Sequence, residues 1–191
     1  MRLAILARLV LALLSCPPAA AAEQSLVLDP SRSRVEFVLA ATLHTVRGEL
    51  DLVRGELRFD PAGGGVAGEI VVDARSARTG IDARDREMHR KVLESARFPE
   101  IALRAGRLEV LRRDAATANV RLHATLEIHG AAHAVAIPAR VTALADDRLV
   151  VEAAFRVPYV AWGMRDPSTF VLRVGKEVEV GVRAEAIWTN R

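Results

Sequence analysis

Along most of this chain apolar and polar residues alternate. The clearest run is 120–128, where Val120, Leu122, Ala124, Leu126 and Ile128 share one face and Arg121, His123, Thr125 and Glu127 the other. A period of two sends successive side chains to opposite faces of a strand. The same alternation carries Val35, Phe37 and Leu39, then Leu57 and Phe59, Ile70 and Val72, and Leu108 and Val110. It returns in Val135, Ile137, Ala139 and Val141, and in Leu149, Val151, Ala153, Phe155 and Val157. The last run sets Val178, Val180, Val182, Ala184 and Ala186 against Glu177, Glu179, Arg183 and Glu185. Turn-forming residues separate the runs, at Asp60-Pro61 with Gly63, Gly64 and Gly65, at Arg112-Arg113-Asp114, at Gly130 and at Asp146-Asp147. About eight short, one-sided strands at this spacing predict an all-β domain. An eight-stranded antiparallel β-barrel is the expected form, because closure removes exposed strand edges.

One stretch breaks the pattern. In residues 76–101 charges crowd together, and Met88, Val92 and Leu93 recur at helical spacing before Pro99. Asp82 is placed to cap a helix, with Asp85 favoured near its positive end. Pro99 disfavours helix at Phe98. The expectation is one short helix around residues 82–95, laying a narrow apolar stripe on the barrel as a plug or as a lid.

The first 22 residues stand apart: Arg2 and Arg8, an apolar run over 9–14, then small residues ending in Ala20-Ala21-Ala22. This is the composition of a signal peptide over 1–22, cleaved after Ala22 and leaving a single domain over 23–191. The expected location is periplasmic or secreted. The apolar run is too short to span a bilayer, and no later stretch is long enough. Cys16 is the one cysteine. Leu13-Leu14-Ser15-Cys16 resembles a lipoprotein signal, but Leu14 fits it poorly and the alanines beyond suit ordinary cleavage. A chain cut there has no disulfide and relies on its core alone.

Charge narrows the partners. The 27 basic and 24 acidic residues give a net +3, with Arg interleaved among Glu and Asp along the strands. A nucleic-acid binder shows a clustered basic face, so none is expected as partner. Aromatic residues make up 4% of a chain that is 51% hydrophobic, so Val, Leu, Ile and Ala build the core. An eight-stranded barrel is just wide enough to hold one small ligand. Lined by small side chains, it falls short of interior packing density, and an empty void costs about 24 cal/mol per Å3. An apolar guest would fill it; the alternative is a barrel flattened until its own side chains meet.

Catalytic chemistry finds little support. The histidines are His44, His89, His123, His129 and His133. Asp85 and His89 lie four apart on one helical face, a spacing that can hold a metal. A metal-dependent hydrolase would need His44, Asp85, His89 and His129 to converge. There is no HExxH and no CxxC. The Gly-rich "RFDPAGGGVAG" lacks the helix that must follow a phosphate loop. The expectation is no catalysis, no metal and no cofactor.

Several stretches taken together resemble the YceI-like family of lipocalin-like polyisoprenoid-binding periplasmic proteins. They are "LDPSRSRVEFVLAATLHTVRGEL", "GELRFDP", "VDARSARTGIDARDREMHRKVLESARFPEI", "ATLEIHGAAHAVAIP", "YVAWGMRDPS" and "GKEVEVGVRAEA", in that order. Ala131 and Ala132 stand where Val and Thr are usual. The resemblance spans nearly all of residues 25–187 and implies a lipocalin-like barrel that is exported and, in some members, holds an isoprenoid chain. It fixes no ligand residue by motif.

The expected partner is therefore an isoprenoid or other long-chain amphipathic lipid, and a homodimer stays open. Expected lining residues are Phe37, Leu39, Leu57, Phe59, Ile70, Val72, Leu122, Leu126, Ile128, Val151, Phe155, Val178, Val180 and Val182. The helix would add Met88, Val92 and Leu93, and an entrance Tyr159, Trp162 and Met164. Arg47, Arg84, His89 and Arg165 are head-group candidates. The competing readings are the metal-dependent hydrolase and a stress-related interaction protein with a filled barrel.

Overall fold

The structure, a computed structural model, describes residues 24–42, 44–60, 65–144, 147–169 and 173–190. The expected signal peptide and Cys16 lie outside them. The alternating runs form strands, all antiparallel to their neighbours. These are β1 (Gln24–Leu28), β2 (Arg34–Ala40), β3 (Thr45–Phe59), β4 (Val66–Arg78), β5 (Glu100–Arg113), β6 (Thr117–Ile128), β7 (Ala131–Ala143), β8 (Arg148–Val157) and β9 (Val178–Asn190).

Nine strands make an eight-stave barrel, because β1 and β2 share one stave. β1 pairs with the Phe59 end of β3 and the Ala186 end of β9. β2 pairs with the Thr45 end of β3 and the Val178 end of β9. Between them Asp29 ends the first half, its carboxylate accepting hydrogen bonds from the Ser31 amide at 2.9 Å and the Ser31 hydroxyl at 2.7 Å. Around the ring the order β2-β9-β8-β7-β6-β5-β4-β3 returns to β2. Register shifts near Glu49–Asp51 and Leu52–Arg54 in β3, and near Ala105 and Val110 in β5, supply bulges that let long strands curve.

β3 is longer than its glycines suggest. Gly48 faces Phe37 across the β2–β3 pair, and a Cβ there would lie 2.2 Å from the Phe37 ring. The glycine makes room for an aromatic side chain instead of turning the chain, and Arg47 lies within β3.

The charged stretch becomes α1 (Asp82–Glu87), running on as a π-turn over Met88–Val92. The N-cap is Ile81 with no side-chain cap, so Asp82 does not cap as expected. Asp85 fastens the entry instead, accepting from the Thr79 amide at 3.0 Å and from the Thr79 hydroxyl. The extra residue of the π-turn rotates the stripe, and Val92 is the helical residue that packs on the core.

That core has two parts. One gathers Leu26, Leu28, Leu52, Leu57, Val66, Leu122, Ala124, Ala184 and Ala186. The other, at the helix end, gathers Leu126, Ile128, Val157, Tyr159 and Met164.

Candidate functional site

Cross-strand partners in a sheet share a face, so one inward residue identifies the next. Leu126, 5% exposed, stands opposite Leu103 on β5 and His133 on β7. Phe155 stands opposite Val180, and Val151 opposite Ala184. By the same register Phe37, Leu39, Leu57, Phe59, Ile70, Val72, Val178 and Val182 face inward. All fourteen strand residues expected to line the barrel, including Leu122 and Ile128, lie on its inner face.

They are not equally covered. Leu57, Leu122, Leu126 and Ile128 are buried, whereas Phe37, Leu39, Phe59, Ile70, Val72, Val151, Phe155, Val178, Val180 and Val182 are half-buried. Val151 and Val182 pack against the first core cluster, and Phe155 and Val180 against the helix-end cluster, each with part of its surface left uncovered.

At the helix end the ring is incomplete. β6 and β7 pair without a break over residues 117–128 and 131–142, joined by His129 (φ 52°) and Gly130 (φ 75°), a two-residue turn of type I′ geometry. β7 and β8 pair only over 139–143 and 149–153. The cause lies in Pro138. Ala143 donates its amide to Ala116 on the β6 side at 2.8 Å. Amides alternate sides along a strand, so even-numbered positions of β7 point at β8. Pro138 is the next such position beyond Arg140, and it has no N–H to give. The ladder stops there, and residues 131–138 part from 154–157.

The gap is occupied by the turn at 158–164. Its backbone folds on itself through Trp162 to Pro158 at 3.1 Å and Met164 to Tyr159 at 3.0 Å. The Tyr159 hydroxyl donates to the Gly175 carbonyl at 2.7 Å, tying the turn to the segment before β9. Tyr159 (4% exposed) and Met164 (3%) are buried in the helix-end cluster and half-buried Trp162 packs against it. Burial, and then the neighbouring Asp166 carboxylate, push the Tyr159 phenol up to about 12. Of the stripe expected from the helix, Val92 packs on this cluster, whereas Met88 and Leu93, half-buried, are not among the residues packed on it.

Towards β7 the turn makes a ring contact. His133 and Trp162 stack with centroids 4.0 Å apart and planes 5° from parallel. His133 Nε2 is buried and has no hydrogen-bond partner among the described residues. The sequence reading missed His133 as an inner-face residue. Its parity with Val135, Ile137 and Ala139 was the signal.

The head-group candidates are dispersed. Arg47 pairs with Val38 on the outer face and is exposed. Arg84 turns back to the Thr79 hydroxyl at 2.7 Å and its carbonyl at 3.1 Å. His89 Nδ1 lies 2.9 Å from the Ser95 hydroxyl. Arg165 is exposed, one residue beyond buried Met164.

The proposed hydrolase set does not converge. Asp85 is held by Thr79 and His89 by Ser95, and His44 is exposed ahead of β3. His129 Nε2 approaches Glu94 Oε1 at 3.3 Å, within ion-pair range but outside hydrogen-bond geometry. Among the described residues no three His, Cys, Asp or Glu side chains form a metal-binding group. No helix among them is long and apolar enough to cross a membrane.

Comparison with known proteins bears on fold and family. The YceI-like domain model matches residues 26–186. A polyisoprenoid binding domain from Saccharophagus degradans, implicated in plant cell wall breakdown, superposes with TM-score 0.67 at 20% identity, covering 85% of this chain and 97% of that one. Burkholderia cenocepacia BcnA gives 0.65 at 17% identity, covering 83% and 98%. The Campylobacter jejuni YceI protein gives 0.61 at 13% identity, covering 78% and 87%. No curated protein sequence matches the chain.

Proposed function

The chain belongs to the YceI-like family, and we propose that it is an exported protein that carries or sequesters an amphipathic isoprenoid-type lipid without performing chemistry on it. One observation carries the reading. Inward-facing Val151, Phe155, Val180 and Val182 are apolar and only partly covered, beside a seam that β7 and β8 leave unpaired, and an alkyl chain would cover what remains exposed. Burying alkyl chain yields about 0.8 kcal/mol per CH2. About ten such groups reach the free energy of a micromolar complex, before the cost of ordering the chain. The Saccharophagus domain is described as polyisoprenoid binding, which favours a branched prenyl chain as guest. The segment over 1–22 supports export to the periplasm or beyond. The break between β7 and β8 serves as the side entrance, with the Trp162 turn across it.

Native mass spectrometry with lipid extraction, on protein purified from its own host, tests the reading. The expected result is a bound long-chain lipid at near one per chain. Leu126→Trp projects an indole into the lumen and should lower that ratio at least fivefold while the circular dichroism of the sheet is unchanged. Lipid retained at the wild-type ratio would remove Leu126 from the lining. Lipid absent from wild type, with no uptake of added prenyl lipid, would overturn the carrier reading.

A further inference from the structure

Most polar atoms at the helix end are spoken for. The Tyr159 hydroxyl is committed to Gly175, Asp85 to Thr79 and His89 to Ser95. Among the described residues two buried imidazole nitrogens lack a hydrogen bond: His129 Nε2, which has Glu94 Oε1 at 3.3 Å, and His133 Nε2, which has no charged group beside it. His133 faces inward opposite Leu126, its ring lies flat on Trp162, and its Nε2 is buried without a hydrogen-bond partner among the described residues. Burying such a group unpaired is costly, so each instance calls for a reason. Its neighbours on the inner face are Leu126, Ile128 and Val135, none of which can supply a bond.

Resting on the reading of the lumen as a lipid site, we propose that His133 Nε2 is the polar anchor of that site and takes the uncharged hydroxyl head of a prenyl-type alcohol. A hydroxyl both donates and accepts, so it satisfies Nε2 whichever ring nitrogen carries the proton. A phosphorylated head fits worse. Nε2 has only apolar neighbours on the inner face, so a charged phosphate buried against it would find no balancing charge there. The stack on Trp162 fixes the imidazole plane, so the anchor is oriented before the guest arrives.

Trp162 supplies the readout. In a Trp188→Phe background it is the one remaining tryptophan, and its fluorescence can follow titration with farnesol, farnesene or farnesyl diphosphate. Farnesol should bind about tenfold tighter than farnesene, as expected of one added hydrogen bond in a dry site, and tighter than the diphosphate. His133→Leu should equalise farnesol and farnesene while leaving farnesene affinity within about twofold. His133→Gln, which keeps a polar side chain, should restore part of the preference and guards against a variant that merely misfolds. A farnesol preference intact in His133→Leu, or a wild-type preference for the diphosphate, would overturn the anchor while leaving the lipid lumen standing. Failure of wild type to take up any of the three would overturn the lumen reading and the anchor together.

Discussion

β7 has two edges, and they behave differently. Towards β6 it pairs from the turn at His129 and Gly130 along residues 131–142 without a break; towards β8 it pairs only over 139–143. The strand is the same, so its own β-propensity cannot be the reason. The closed seam begins at a tight turn whose φ values match strand twist, which sets register from the first rung. The open seam ends where Pro138 withholds a donor. The difference teaches that this barrel is closed by local chemistry at particular rungs, and that one imino acid suffices to end a ladder beside the helix-end core.

The largest effect should come from breaking the closed seam at its origin. Gly130 sits at φ 75°, and a Cβ there would lie 2.5 Å from the Phe98 ring. That ring is held between His129, at 4.7 Å, and the Arg97 guanidinium, at 4.8 Å, so it has little room to retreat. Gly130→Ala should cost about 2 kcal/mol from left-handed strain and the displaced ring together. For a domain of this size that lowers Tm by about 5 °C, measurable by calorimetry. A change under about 1 °C would mean the turn does not govern the seam.

The open seam is sharpened at Tyr159, with an intermediate effect. Tyr159→Phe removes the bond to the Gly175 carbonyl and loosens the turn from the β9 side, at about 1 kcal/mol. It also changes the alkaline limb. The folded phenol is raised from 10.0 to about 12, so the native state holds this proton more tightly than the unfolded chain. The resulting stabilisation is intact below pH 10 and is lost as pH rises towards about 12. Tyr159→Phe should lose this part of the decline. The chain has one tyrosine, so phenolate absorbance reports this group alone. A phenolate appearing with a midpoint near 10 in folded protein would place Tyr159 in water and unseat the turn.

Much of this architecture was readable from alternation. The eight runs became staves because each residue type matched the face its parity assigned, as Leu122, Leu126 and Ile128 illustrate. Other features were hidden for physical reasons. β1 escaped because Leu26-Val27-Leu28 is an unbroken apolar run, although Leu26 and Leu28 face in and Val27 is 42% exposed. Gly48 resembles a turn residue in one dimension and proves to be clearance for Phe37 in three. His133 was passed over because a polar residue on a strand defaults to the outer face, yet its parity placed it inside. The seam itself was illegible, since ladder length depends on which strand is the neighbour.

The smallest effect tests the seam most directly. In β7 the odd-numbered amides point at β6, as Ala143 shows in donating to Ala116; the even-numbered ones at 132, 134 and 136 point at the gap. Amide exchange should therefore alternate along this half of the strand, slow at His133, Val135 and Ile137 and fast at Ala132, Ala134 and Ala136. Pro138→Val returns a donor opposite Ala154, the residue next to the last rung at Ala153. One added rung is worth about 0.5–1.5 kcal/mol at most, part of which is spent in displacing the Trp162 turn. The equilibrium gain should be a few tenths of a kcal/mol, with protection of the amide restored by the substitution as its signature. If lipid enters here, the same substitution should slow prenyl-lipid uptake severalfold in stopped-flow Trp162 fluorescence. Protection of that restored amide with unchanged uptake would move the entrance to the barrel ends and leave the gap as a structural consequence of Pro138 alone.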